Sequence, residues 1–290
     1  MNRISIKSYA KINLGLDVTG VLPNGYHTVK MIMQTISLND TLYFEISKKP
    51  GIVLKTNMPF LPVNEKNIVY KAIQLFCSEL SISCGVYCSI MKHIPVAAGL
   101  AGGSGNAAAA LIALNTLLNT NLTTEELMKM GVKLGADVPF CILGKTALAE
   151  GIGEILTPLP APPRAKVLIV KPSTSVSTAE IYSKLVLDEN TVHPDIDACV
   201  RALENGSLTD LCKNMGNILE DVTIELHPMI RKIKEKMLLH GAAGTLMSGS
   251  GPTVFGLFEN ETAAQKACLA FKTDEQYKKS TYLCDFCEFT

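Results

Sequence analysis

Pro95-Val-Ala-Ala-Gly99-Leu-Ala-Gly102-Gly103-Ser104-Gly105-Asn106-Ala-Ala-Ala-Ala110 is the stretch that decides how the rest of the chain is organised. Before it, Gly85-Val-Tyr-Cys-Ser-Ile-Met91 is β-branched and aromatic enough for a strand; after it, alanines and leucines run as a helix from about Asn106 to Leu118. The order is therefore strand, glycine loop, helix. Glycines let a backbone approach a ligand closely, and the unbonded amides and positive dipole end of a helix start favour an anion such as a phosphate. The plainer alternative is a tight connection whose small residues let a helix pack on a sheet. Four glycines from Gly99 to Gly105, a serine and a long helix weigh towards phosphate.

Two rival phosphate motifs fall away. Gly144-Lys145-Thr146 resembles the end of a Walker A loop, but the first glycine of that motif falls on Pro139. Gly103-Ser-Gly105-Asn-Ala-Ala108 fits a relaxed dinucleotide pattern. However, Pro95 to Gly102 separate it from the strand, and Glu125-Glu126 open a helix where a second strand should end in an acid.

Upstream, Ile12, Leu14, Leu16 and Val18 alternate with Lys11, Asn13 and Asp17, which predicts a half-buried strand with a solvated polar face. Pro23-Asn24-Gly25 supplies a turn before a second extended run, His27 to Leu38. Downstream, Thr123 and Glu126 have capping-box spacing for a helix ending near Gly135, stopped by Pro139, with Asp137 in the loop just beyond. Four prolines between Thr157 and Pro163 mark a candidate domain boundary. Beyond it Val167 to Val170 reads as a buried strand, Ser177 and Glu180 cap a helix, and Pro252 to Phe258 and Tyr282 to Phe286 supply later strands. Gly249-Ser250-Gly251, before a strand, reads either as an ordinary turn or as a second amide nest for an anion.

Composition narrows the function classes. The 290 residues suggest about two domains. At 47% hydrophobic and mean hydropathy +0.23 there is ample core material. Lysine plus arginine equals aspartate plus glutamate at 27 each, leaving no field to draw the chain onto nucleic acid or an acidic membrane. The N-terminal residues alternate instead of forming a signal peptide, and the longest apolar run, within Ala107 to Leu114, is far short of the ~18 residues a membrane span needs. Nine scattered cysteines, including Cys284 and Cys287, fit reduced thiols in the cytoplasm.

Taken together, Ala10-Lys11-Ile12-Asn13-Leu14, Gly25-Tyr26-His27, Pro95 to Ala109, Gly135-Ala-Asp137-Val-Pro-Phe140 and Ser248-Gly-Ser-Gly-Pro252 resemble, in order and spacing, the motifs of the GHMP small-molecule kinases. Within them the resemblance is to the branch acting on cytidylylated methylerythritol. It implies a two-domain α+β GHMP kinase fold: a ribosomal S5-like N-terminal domain over 1–157 and a ferredoxin-like C-terminal domain over 158–290. It implies ATP as co-substrate, Mg2+, a small-molecule substrate, and a monomer or homodimer without nucleic-acid or membrane partners. ATP phosphates would lie on Pro95, Val96, Ala97, Ala98, Gly99, Leu100, Ala101, Gly102, Gly103, Ser104 and Gly105, with Asn67 and Lys92 flanking adenine. Lys11 and Asp137 would be catalytic, Asn13, Tyr26 and His27 substrate contacts, and Tyr182 the ring over cytosine; metal ligands are not assigned. At Gly105 the family commonly carries serine or threonine. Two alternatives are weighed: another GHMP kinase, against which Gly25-Tyr26-His27 and Tyr182 count, and a nucleotide-binding protein without turnover, against which Lys11 and Asp137 count.

Overall fold

The computed structural model describes residues 2–23 and 25–287. The N-terminal half runs β1 (Arg3–Val21), β2 (His27–Ser47), β3 (Gly51–Thr56), α1 (Ile68–Glu79), β4 (Gly85–Met91), α2 (Gly102–Leu118), α3 (Thr124–Val132), α4 (Val138–Leu143), β5 (Thr146–Glu150) and β6 (Ile155–Pro158). There follow β7 (Lys166–Val170), α5 (Thr178–Lys184), α6 (Ile196–Glu204), α7 (Leu208–Asn214), α8 (Glu220–Leu226), α9 (Met229–Leu239), β8 (Gly244–Met247), β9 (Val254–Phe258), α10 (Glu261–Lys272) and β10 (Thr281–Asp285). The chain divides into two compact units. One holds the residues up to Ala10, Leu38–Val96 and Ala101–Gly144; the other holds Lys11–Ser37, Ala97–Leu100 and everything from Lys145 onward.

In the first unit the C-terminal half of β2 pairs antiparallel with β4, Phe44 opposite Cys88, and β3 lies parallel to β4 with Leu54 opposite Cys88. Helices α1 and α2 pack on each other, as do α2 and α4. Helix α2 is apolar almost all round, with Ala107–Leu111, Ala113, Leu114 and Leu117 buried, as expected of a helix enclosed on every side. In the second unit the N-terminal half of β2 pairs with β5, Met31 opposite Ala149, and β6 closes that edge. Pro158 sits in this edge strand, opposite Ala147, where a missing N–H does no harm. A separate antiparallel sheet has the order β10-β7-β9-β8, with α9 and α10 against it and Phe255, Phe258 and Phe271 fully buried.

Three local expectations are corrected. The polar face of β1 is not solvated: Lys11, Asn13 and Asp17 are only 5%, 0% and 7% exposed. Helix α2 begins at Gly102, not near Asn106. Its early glycines look like loop residues because glycine disfavours helix, yet two of them sit where a side chain is crowded: a Cβ on Gly102 would lie 2.9 Å from Ile94, and one on Gly105 2.7 Å from Ser8 Oγ. Pro139 does not stop a helix. It stands in the first turn of α4, where proline is well tolerated, and Asp137 is the N-cap position of that helix. The turn read at Pro23-Asn24-Gly25 includes Asn24, which lies outside the described residues. Gly25 has φ +82° and donates its N–H to the Leu22 carbonyl at 2.9 Å.

Candidate active site

The glycine loop is built on unusual backbone. Ala97 (φ 50°), Gly99 (φ 71°) and Ala101 (φ 52°) are all left-handed; for alanine this costs about 1–2 kcal/mol each. Ala101 is the N-cap of α2, offers no side-chain hydrogen bond, and no acid occupies the first turn. The Gly105 N–H closes the first helical bond onto the Ala101 carbonyl at 2.8 Å. The amides of Gly102, Gly103 and Ser104 therefore have no carbonyl within the helix to bond to, which is the arrangement an anion fits.

The loop's stems meet a buried polar cluster in the first unit. Asp40, fully buried, accepts the N–H of His93 at 2.7 Å and of Ile94 at 2.8 Å on Oδ1. Its Oδ2 accepts Asn106 Nδ2 at 2.8 Å and forms an ion pair with Lys92. Lys92 Nζ also donates to Asn106 Oδ1 at 3.1 Å, and Asn106 Nδ2 to Ser8 Oγ at 3.0 Å. Asn57 brackets the Lys92 backbone, accepting its N–H at 2.8 Å and donating to its carbonyl at 3.1 Å. Asn67 caps α1: its Oδ1 accepts the Val69 N–H at 2.9 Å and its Nδ2 donates to the Pro62 carbonyl at 2.7 Å. Asp137, by contrast, makes no side-chain bond to the helix it caps. Gly105 is explained sterically, since a Cβ there would lie 2.7 Å from Ser8 Oγ and 3.0 Å from the Tyr9 carbonyl.

In the second unit Lys11 Nζ donates to Asn13 Oδ1 at 2.7 Å, and Asn13 Nδ2 to Met31 Sδ at 3.2 Å. The Lys11 backbone N–H bonds the Leu100 carbonyl at 3.1 Å, so this lysine is anchored beside the glycine loop. Further along the strand, Asp17 meets His193 Nδ1 at 2.8 Å. The rings of His27 and Tyr182 lie together, centroids 4.8 Å apart and planes tilted by 54°, while Tyr26 is largely exposed. Two predicted substrate residues far apart in sequence thus form one aromatic pair.

Several polar groups of the second glycine loop are bonded within the second unit. The Ser248 N–H bonds the Thr253 carbonyl at 2.9 Å, and the Gly251 N–H the Ser248 carbonyl at 3.0 Å. Ser250 Oγ meets Thr178 Oγ1 at 2.9 Å. Asn217 Nδ2 donates to the Met247 and Gly249 carbonyls at 2.9 and 2.8 Å. The loop also clasps Gly99, whose carbonyl accepts Ser248 Oγ at 2.9 Å.

Residues 67–145 match the GHMP kinases N terminal domain and residues 199–276 the GHMP kinases C terminal domain. The chain is 56% identical over 288 residues, 99% of both chains, to the 4-diphosphocytidyl-2-C-methyl-D-erythritol kinase of Lachnoclostridium phytofermentans. It is 48% identical over 282 residues, 97% of this chain and 98% of the relative, to the enzyme of the same name from Lachnospira eligens. The chain belongs to the GHMP kinase family. The crystal structure of a 4-(cytidine 5'-diphospho)-2C-methyl-D-erythritol kinase superposes with TM-score 0.83 at 30% identity, covering 99% of this chain and 100% of that one. The two-sheet α+β architecture is thus that of a GHMP kinase, a small-molecule kinase using ATP.

For a GHMP kinase, sequence reasoning missed Asp40, Asn57 and Asn217. Asp40-Thr41 and Asn57 carry no motif; Asn217 has only its place after Gly216 as a hint of a turn. Two of the thiols offer no rival chemistry. Burial pushes Cys199 up to about 12 and Cys212 up to about 11, so both stay protonated at neutral pH. Among the described residues no group of three or more His, Cys, Asp or Glu is placed to hold a metal, and no helix is long and apolar enough to cross a membrane.

Proposed function

We propose that this chain transfers the γ-phosphate of ATP to the 2-hydroxyl of 4-diphosphocytidyl-2-C-methyl-D-erythritol, giving the 2-phosphate and ADP in the non-mevalonate route to isoprenoids. The observation that carries this is the full-length identity with the Lachnoclostridium kinase. Phosphoryl transfer is chiefly positioning and charge stabilisation, and the residue roles follow from that. The amides of Gly102, Gly103 and Ser104 receive the ATP phosphates. Lys11, held by Asn13 and by the Leu100 carbonyl, supplies positive charge to the transferring group. Asp137, the N-cap residue of α4, orients and accepts the proton of the substrate hydroxyl. The His27–Tyr182 ring pair supports a cytosine site, where stacking contributes about 1–3 kcal/mol per base. Asn13 and Tyr26 complete the substrate contacts, and Asn67 and Lys92 flank adenine through their placement, their polar groups being already engaged.

Mg2+ fits as an ion carried by the ATP phosphates and water, with Ser104 as the hydroxyl the loop offers; it neutralises phosphate charge. We place the enzyme in the cytoplasm. A radiolabelled-ATP assay against the cytidylylated methylerythritol, homoserine, mevalonate and galactose tests the reading. Label should appear in the first alone; transfer only to another sugar or alcohol, or nucleotide binding with no transfer to any, would replace it.

A further inference from the structure

We propose that Asp40 is a positioning residue for nucleotide binding: one buried carboxylate that ties both stems of the Pro95–Gly105 loop to a single point. The inference rests on the reading that this loop holds the ATP phosphates. Oδ1 accepts the N–H groups of His93 and Ile94, the two residues that lead into Pro95, at 2.7 and 2.8 Å. Oδ2 accepts the side-chain amide of Asn106, the residue that follows Gly105, at 2.8 Å, and pairs with Lys92. Asn106 returns a second link through its Oδ1 to Lys92 Nζ at 3.1 Å.

Global stability does not explain this placement. A buried ion pair is often matched or exceeded in stability by apolar residues of the same volume. What the pair does here that an apolar core would not is fix where the loop leaves β4 and where it re-enters α2. A loop with both ends pinned has few conformations to lose when a ligand orders it, so its amides are presented in place. Released from Asp40, the same loop must be ordered by the nucleotide itself, and affinity falls. The proposed cytosine contacts His27 and Tyr182 belong to the other compact unit, so the pin acts on KM for ATP and not on the base contacts.

The test uses the full-length enzyme, with calorimetric binding of a non-hydrolysable ATP analogue and separate KM values for ATP and for the cytidine substrate. Asp40→Asn puts an amide donor where Lys92 and Asn106 both donate. Asn106→Ala leaves the Asp40–Lys92 ion pair whole and cuts the tether to the helix along with the Asn106 bonds to Lys92 and Ser8, so it decides the matter if Asp40→Asn does not fold. Both should weaken the analogue about 10-fold and raise KM for ATP, with KM for the cytidine substrate unchanged. An unchanged dissociation constant in folded Asn106→Ala, or equal losses for both substrates, overturns the proposal. Gly103→Ala, where the added Cβ meets only Ile68 at 3.8 Å, reads the loop itself. If it too leaves analogue binding unchanged, the phosphate-loop reading has failed; if it alone weakens binding, only the role of Asp40 has.

Discussion

The two glycine loops are both rich in glycine and serine but differ in where their polar groups go. Gly99 to Gly105 opens a 17-residue helix with no side-chain cap, and leaves a row of amides pointing at nothing within the helix. Ser248 to Pro252 leads into β9, and the carbonyls of Met247 and Gly249, the Ser248 hydroxyl and two of its amides are all bonded inside the second unit. Glycine content alone therefore does not separate the proposed phosphate loop from a loop that bonds much of itself; the partners of the backbone groups are the better guide.

Substitutions separate the two roles. The largest effect is expected where the loops meet: a Cβ on Gly99 would lie 2.2 Å from the Ser248 carbonyl at φ +71°. Gly99→Ala should lower stability by about 3 kcal/mol through overlap and backbone strain, read as a fall in chemical-denaturation midpoint. A stable Gly99→Ala protein would show that the clasp yields easily. Next, Asp137→Asn should cut kcat by roughly 10²-fold, about 2.7 kcal/mol, with nucleotide affinity kept; Lys11→Met should behave alike, and near-normal turnover in either would remove that residue from the chemistry. Asn217→Ala strips two buried carbonyls of their donor and should cost about 2 kcal/mol of stability while analogue binding stays constant. A loss of nucleotide affinity at unchanged stability would make the second loop an anion nest after all. Smallest, Tyr182→Ala should raise KM for the cytidine substrate about 10-fold, or ~1.4 kcal/mol, leaving ATP untouched; a large drop in Tm with KM unaltered would return Tyr182 to a packing role.

Signals carried by neighbours in sequence were readable. The capping box of Thr123 and Glu126 is present with both its bonds, Ser177 caps α5, and β4 spans Gly85–Met91 as its composition implies. What went unread depends on distant partners. The alternation in β1 correctly separates two faces, but alternation cannot tell that the polar one is covered, which needs the burial of Lys11, Asn13 and Asp17 in three dimensions. Helix α4 is six residues long, too short to show a period. Asp40 looks like a turn acid beside Asn39, and its partners at 92–94 and 106 lie more than fifty residues away. The loop was legible; the carboxylate that holds its stems was not.

The space a side chain at 105 would share with Ser8 also couples the two positions. A serine at position 105 would bring its Cβ within 2.7 Å of Ser8 Oγ, and that hydroxyl already accepts from Asn106. The two positions are therefore epistatic: the cost of a side chain at one depends on what stands at the other. Ser8→Gly relieves the nearer overlap and leaves the Tyr9 carbonyl at 3.0 Å, so Gly105→Ser should cost less stability on the Ser8→Gly background than alone. Ser8 and the Tyr9 carbonyl thus favour glycine at 105 from the opening strand, almost a hundred positions away and just before the Ala10-Lys11 motif.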